Sequence, residues 1–285
     1  MSTNPQQPIG IMQGRLSAPT DGKIQSFPKK TWRMEFEKAS QCNLDFIEWI
    51  FETDEWENNP ISTASGIQEI LALADKSKVS VLTLCADYFM ENPLIRCSES
   101  DQADRLEKLN WLIQQAALLG VKYINLPFVD HSAIHSNEEI SLLAKRLAPI
   151  SENAKKQGIQ LCLETNLDPV RFESLLVAFE QVPIGVNYDT GNSAALGFES
   201  HEEMAHYGRY LTTLHIKDRR LNGGTVPLGQ GDANIPDTLK QLRQLPFWGP
   251  ITFQVARGES GQEVETTQGN MAYLKKLLQG NPHET

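Results

Sequence analysis

LLGVKYINLPF (residues 118–128) and KQGIQLCLETN (residues 156–166) are two copies of one junction: a helix end, a glycine, then a short apolar strand. A glycine just past a helix supplies the left-handed cap that other residues resist. The apolar run after it is what a strand buried on both faces requires. Before the first glycine, Arg105 to Leu119 places Leu106, Leu109, Leu112, Ile113, Ala116, Ala117 and Leu119 on one helical face, ending at Gly120. Before the second, Ser136 and Glu139 form a capping-box pair for a helix that reaches toward Lys156 and ends before Gly158.

The same alternation extends outward in both directions. Strand signals begin near Ile9, Leu44, Val79, Val121, Ile159, Ile184, Leu211 and Ile251, eight in all. Spread over 285 residues, that is about 36 per unit, enough for a strand, a helix and two loops. The reading is a single (β/α)8 barrel domain over residues 1–285, with residues 1–8 and 280–285 as flexible ends. A doubly wound sheet is disfavoured because no strand is followed by a GxGxxG turn.

Bulk composition narrows the function. The formal net charge is −10 and the basic residues are scattered, which argues against nucleic acid as a partner. No stretch of about 18 apolar residues exists to span a bilayer, and the first eight residues lack the basic start and apolar run of a secretion signal. Cys42, Cys85, Cys97 and Cys162 show no CxxC spacing, as suits a reducing compartment. The expectation is a cytoplasmic protein acting on a small molecule, with a homo-oligomer left open.

Chemistry concentrates in the second half. The strand ends there are Glu164, Asp189, His215 and Gln254, at intervals of 25, 26 and 39 residues. Each interval is about one βα unit. Parallel barrel strands point their C-terminal ends at one face, so these four side chains converge without coincidence. Two carboxylates and an imidazole suit one divalent ion such as Mn²⁺, Mg²⁺, Co²⁺ or Zn²⁺, with Gln254 as a fourth, uncharged ligand. Taken singly, Asp189 is also a good Asx-turn residue and a lone histidine is often structural.

Several segments carry a family resemblance. They are Gly10 to Leu16, Phe46-Ile47-Glu48-Trp49, Leu163-Glu164-Thr165-Asn166, Asn187 to Asn192, His215 to Arg219, and Pro227 to Asp232. Through them the chain resembles the xylose-isomerase-like TIM barrels, and most closely their sugar-phosphate isomerase/epimerase branch. The resemblance implies a metal held by Glu164, Asp189 and His215, with a glutamate at the strand-eight position. In such epimerases two glutamates exchange a proton on opposite faces of a carbon beside a metal-polarised carbonyl. Here Glu164 can act as principal base, but Gln254 cannot take a proton near neutral pH. Asn192 and Leu221 also stand where many epimerases have histidine and arginine.

Lys217 is the first local candidate for the missing proton relay and Glu48 the second. The competing accounts are a substrate-anion contact or an ion pair with Asp218 for Lys217, and a salt bridge inside the barrel for Glu48. Arg15 and Arg257 flank the mouth and could clamp an anionic group. Asn125, Asn166 and Asn187 could hydrogen-bond sugar hydroxyls. The expected activity is isomerisation or epimerisation of a small sugar, sugar phosphate or related hydroxy-carbonyl compound. The alternatives are a dehydratase or other lyase, or a barrel that binds sugar without turnover. The apurinic-endonuclease reading is disfavoured, since His131, His135, His201, His206 and His283 miss the strand ends.

Overall fold

The computed structural model describes residues 7–20, 22–179 and 182–279. Eight parallel strands close into a barrel: β1 (Ile9–Met12), β2 (Phe46–Ile50), β3 (Ser80–Cys85), β4 (Tyr123–Phe128), β5 (Gln160–Thr165), β6 (Ile184–Asp189), β7 (Leu211–Ile216) and β8 (Ile251–Phe253). Their order around the barrel is sequential, with β8 pairing back onto β1. Closure leaves no edge strand to protect.

Several strands begin one or two residues later than the apolar pattern. At the two junctions quoted above, the N–H of Val121 is held by Ala116 O and that of Ile159 by Ala154 O. These residues are buried, yet their backbones still close the preceding helices, so pairing starts at Tyr123 and Gln160. Gly120 and Gly158 make the reversal at φ of 80° and 77°. The first helix spans Glu99–Leu119, opening six residues before the expected start because the Ser98 hydroxyl accepts the Asp101 N–H. The second spans Asn137–Lys156 with Ser136 as its cap.

Register sets the neighbours at the C-terminal end. Asp189 pairs with His215, His215 with Thr252, and the Gln254 N–H reaches Ile216 O at 3.0 Å. The ends of β6, β7 and β8 are thus side by side. Beyond β7, Asp218–Arg219 and Thr225–Val226 form a two-residue antiparallel ribbon. The Asp218 carboxylate accepts the N–H groups of Gly229, Gly231 and Ala233, so it organises the Pro227–Asp232 loop and does not pair with Lys217.

The flexible-end expectation for residues 1–6 and 280–285 lies outside the described residues. Gln7 and Pro8 are tied down: the Gln7 amide donates to Gly249 O, and Pro8 O accepts the Ile251 N–H. Among the described residues, no helix is long and apolar enough to cross a membrane.

Candidate active site

Glu164, Asp189 and His215 meet at the C-terminal mouth, all buried. One donor atom from each lies within 4.8 Å of the others. Oδ1 of Asp189 accepts the N–H groups of Gly191 and Asn192, capping the next helix, while Oδ2 turns toward His215 and Lys217. The Asx-cap and ligand readings of Asp189 are therefore compatible, one oxygen serving each.

The histidine is oriented from below. Its Nε2 lies 3.0 and 3.1 Å from the two oxygens of Glu48, itself fully buried. Nδ1 faces the mouth, 3.5 Å from Glu164 Oε2 and 3.9 Å from Asp189 Oδ2. A carboxylate behind one ring nitrogen, with the other nitrogen presented, is the arrangement of metal-ligating histidines. Burial opposes charge on His215, but Glu48 and Glu164 more than offset it and push its pKa up to about 10. Burial likewise opposes ionisation of Glu48 and Glu164, yet His215 holds both below the usual carboxylate range. Ligation through Nδ1 requires its proton to leave, so ion binding and proton release are linked.

The donor set fits a divalent ion at three positions: two carboxylate oxygens and one imidazole nitrogen, close enough for a single cation to bridge. The fourth differs. Gln254 Oε1 faces the group but accepts from Lys217 Nζ at 2.8 Å, and the same ammonium reaches Asp189 Oδ2 at 3.0 Å and Asn192 Oδ1 at 3.1 Å. Gln254 as a ligand must share its oxygen with Lys217.

Several expected substrate contacts are used elsewhere. Glu48 is sealed under the histidine and forms the internal salt bridge weighed for it. Asn125 donates to Glu48 Oε1 at 2.7 Å; the Asn187 amide lies 2.7 Å from Glu164 Oε2 and 3.0 Å from His215 Nδ1. The carboxylates of Glu48 and Glu164 only accept, which fixes the NH₂ ends of Asn125 and Asn187 toward them; the Thr213 hydroxyl lies 2.9 and 2.8 Å from the two carbonyl oxygens and can donate to one at a time. These asparagines position the acidic groups. Arg15 is buried and gives its N–H groups to Val255 O, Ile24 O and Gln25; Arg257 gives its own to Ile24 O, Gly14 O and Ser17 O. Both clamp the loop after β1, and neither lines the cavity described next.

That cavity, about 680 Å³, opens beside the acidic group and is lined by Gln25, Asp87, Glu164, Asn166, Lys217 and Gln254 among others. Its size suits a small molecule. Asn166 and Lys217 are thus both at the cavity wall. Arg219 also lines it and donates to Asn192 Oδ1 at 3.0 Å, while Leu221 is exposed. Residues the sequence reading missed are Gln25 and Asp87, on the loops after β1 and β3. Asp87 had a signal available, since it follows a strand end as Glu164 does; Gln25, far into a loop, had none.

A closed barrel of eight parallel strands with two carboxylates and an imidazole gathered at its C-terminal mouth defines the (β/α)8 class of fold. Residues 36–277 match the xylose isomerase-like TIM barrel model, and the chain belongs to that family. No curated protein matches the sequence. Similar solved structures include a xylose isomerase-like TIM barrel protein from Mycobacterium smegmatis in complex with magnesium, 18% identical, with a TM-score of 0.73 and 98% of each chain covered. A D-psicose 3-epimerase in the presence of D-fructose is 15% identical, with a TM-score of 0.73 over 96% of this chain and 100% of that one. The 3-keto-D-glucoside 4-epimerase YcjR from E. coli is 14% identical, with a TM-score of 0.71 over 95% of this chain and 100% of that one. At these identities the likeness shows the fold.

Proposed function

We propose that the protein is a metal-dependent isomerase or epimerase of a small sugar, sugar phosphate or related hydroxy-carbonyl compound. The observation that carries this reading is the position of Glu164, a carboxylate that lines the cavity and also belongs to the three-residue donor group. Glu164, Asp189 and His215 would hold a divalent ion such as Mn²⁺, Mg²⁺, Co²⁺ or Zn²⁺. The chemistry such an ion supplies when bound is Lewis-acid polarisation of a carbonyl oxygen, which acidifies the neighbouring C–H bond. Glu164 takes that proton, Asn187 and Asn192 hold its two oxygens in place, and Lys217 keeps a positive charge at the cavity wall. Sugar epimerases among the similar structures support the substrate class.

A lyase reading has one observation in its favour. Gln254 cannot exchange a proton, and elimination of water needs only one base and one acid. Incubation in D₂O with Mn²⁺ and a panel of ketohexoses, 3-keto-glycosides and 2-keto acids separates the two. Deuterium uptake with stereochemical or positional change supports isomerisation, and loss of water supports the lyase. Glu164→Gln should abolish either; its full retention of activity would refute the assigned base.

A further inference from the structure

Two-sided proton transfer at a carbon needs a second proton carrier, and Gln254 is an amide. Asp87, two residues past the end of β3, is 8% exposed and lines the same cavity as Glu164 and Lys217. Pro127, Val129 and the exposed Asp130, at and beyond the end of the intervening β4, also line it. Oδ2 of Asp87 accepts from Gln25 Nε2 at 2.7 Å and Oδ1 from the Cys85 thiol at 3.1 Å. Among the described residues it forms no ion pair with lysine, arginine or histidine. A buried carboxyl with neutral partners only is costly to keep ionised and is poised to carry a proton. Burial, with the charge of Glu164 adding to it, outweighs the Gln25 bond and holds its pKa at about 6.

Hydrogen-bond direction ties this carboxyl to the amide on β8. Gln254 turns its oxygen to Lys217, so its NH₂ faces Gln25 Oε1 at 2.9 Å, and the Gln25 NH₂ faces Asp87. The chain Lys217, Gln254, Gln25, Asp87 therefore runs one way and ends on an acceptor whose orientation it fixes. We infer that Asp87 is the second acid/base group of this site, exchanging a proton with the substrate face that Glu164 does not reach. This rests on the proton-transfer reading above. In the forward direction the C–H bond breaks toward Glu164 and its electron pair moves into the enediolate. The Asp87 O–H bond then breaks, and its proton forms the new C–H bond on the opposite face. Glu164 ends protonated and Asp87 ionised, and exchange with water resets both. Gln25 acts as a positioning residue.

The test uses the full chain with Mn²⁺ in D₂O and the carbonyl panel above, following deuterium in recovered substrate separately from new epimer or isomer. Asp87→Asn should keep substrate exchange within about threefold, since Glu164 is intact, while product formation falls about 100-fold or more. Glu164→Gln should lose both, and Asp87→Glu should restore part of the product. Retained exchange also reports that Asp87→Asn is folded. Should it not fold, Gln25→Leu leaves the carboxyl and removes its orienting amide; kcat should then fall about tenfold with KM and exchange unchanged. Product formation by Asp87→Asn within threefold of wild type overturns the assignment. So does a parallel loss of exchange and product in an Asp87→Asn protein whose circular dichroism shows it folded, or an unchanged kcat in Gln25→Leu. Absence of both exchange and product for the wild type across the panel overturns the proton-transfer reading itself, and this assignment falls with it.

Discussion

Glu35 offers a test of how the mouth is held. It lies on the helix after the β1 loop, 1% exposed, and its Oε2 accepts the Gly14 N–H at 2.9 Å. Its other oxygen has no hydrogen-bond partner. Burial outweighs the Gly14 N–H, the lesser contributions of Ser17 and Leu16 and the nearby Arg257 charge, raising its pKa from 4.5 to about 7. Because the folded value is the higher one, the native state binds the proton more tightly. Its contribution is fully present below about pH 4.5 and is lost as pH rises through about 7. That rise, at about 1.4 kcal/mol per pH unit, comes to roughly 3 kcal/mol. For a chain of 285 residues this is about 5 °C in Tm. Glu35→Gln keeps the volume and the acceptor for Gly14 but cannot ionise. Thermal unfolding followed by circular dichroism should show wild type losing about 5 °C between pH 5 and pH 8 relative to the variant. The two should be nearly equal at pH 5, with Glu35→Gln the more stable at pH 8. Parallel curves, or a variant less stable at both pH values, would refute the argument that an uncompensated buried charge sits at this position.

Three further outcomes follow from the same geometry. Glu48→Gln removes the charge behind His215 while leaving an oxygen for its N–H; Mn²⁺ affinity by titration calorimetry at fixed pH should fall about 10- to 100-fold, and unchanged affinity would mean that Glu48 does not set the imidazole. Lys217→Met removes the ammonium that Asp189 and Gln254 share. Its Mn²⁺ affinity should rise about tenfold or more, near 1.4 kcal/mol, whereas weaker binding would make Lys217 a support of the ion site rather than its competitor. Glu203 accepts the hydroxyls of Tyr188, Ser193 and Tyr207 at 2.7, 2.7 and 2.5 Å beneath the β6 helix. Glu203→Gln leaves too few acceptors and should cost about 1–3 kcal/mol of unfolding free energy, read by urea denaturation; a change within about 0.5 kcal/mol would count against a satisfied buried network.

What could be read from residues alone follows a physical division. The two glycine junctions were legible because a helix can reverse into a strand at Gly120 and Gly158 only through a left-handed residue, a purely local demand. Strand onsets slipped by one or two because Val121 and Ile159 have the composition of a strand but the hydrogen bonds of a helix cap. Glu164, Asp189 and His215 were legible because parallel topology turns a one-dimensional interval into convergence. The contacts that were not legible belong to side chains whose partners come from distant segments. An arginine at the mouth looks the same in sequence whether it meets a substrate or, as Arg15 and Arg257 do, the carbonyls of Gly14, Ser17, Ile24 and Val255. Asparagines at strand ends look like sugar contacts until the carboxylates of Glu48 and Glu164, which only accept, are seen to take the amide N–H groups of Asn125 and Asn187. The loss of a carboxylate at Gln254 was visible at once, but its consequence was not, because it depends on which end of the amide Lys217 takes. With the oxygen claimed there, the amide hydrogens must point to Gln25, and through it the geometry reaches Asp87, 167 positions earlier in the chain. What looks like the loss of a base on β8 is, in three dimensions, an amide turned toward a carboxyl on the loop after β3.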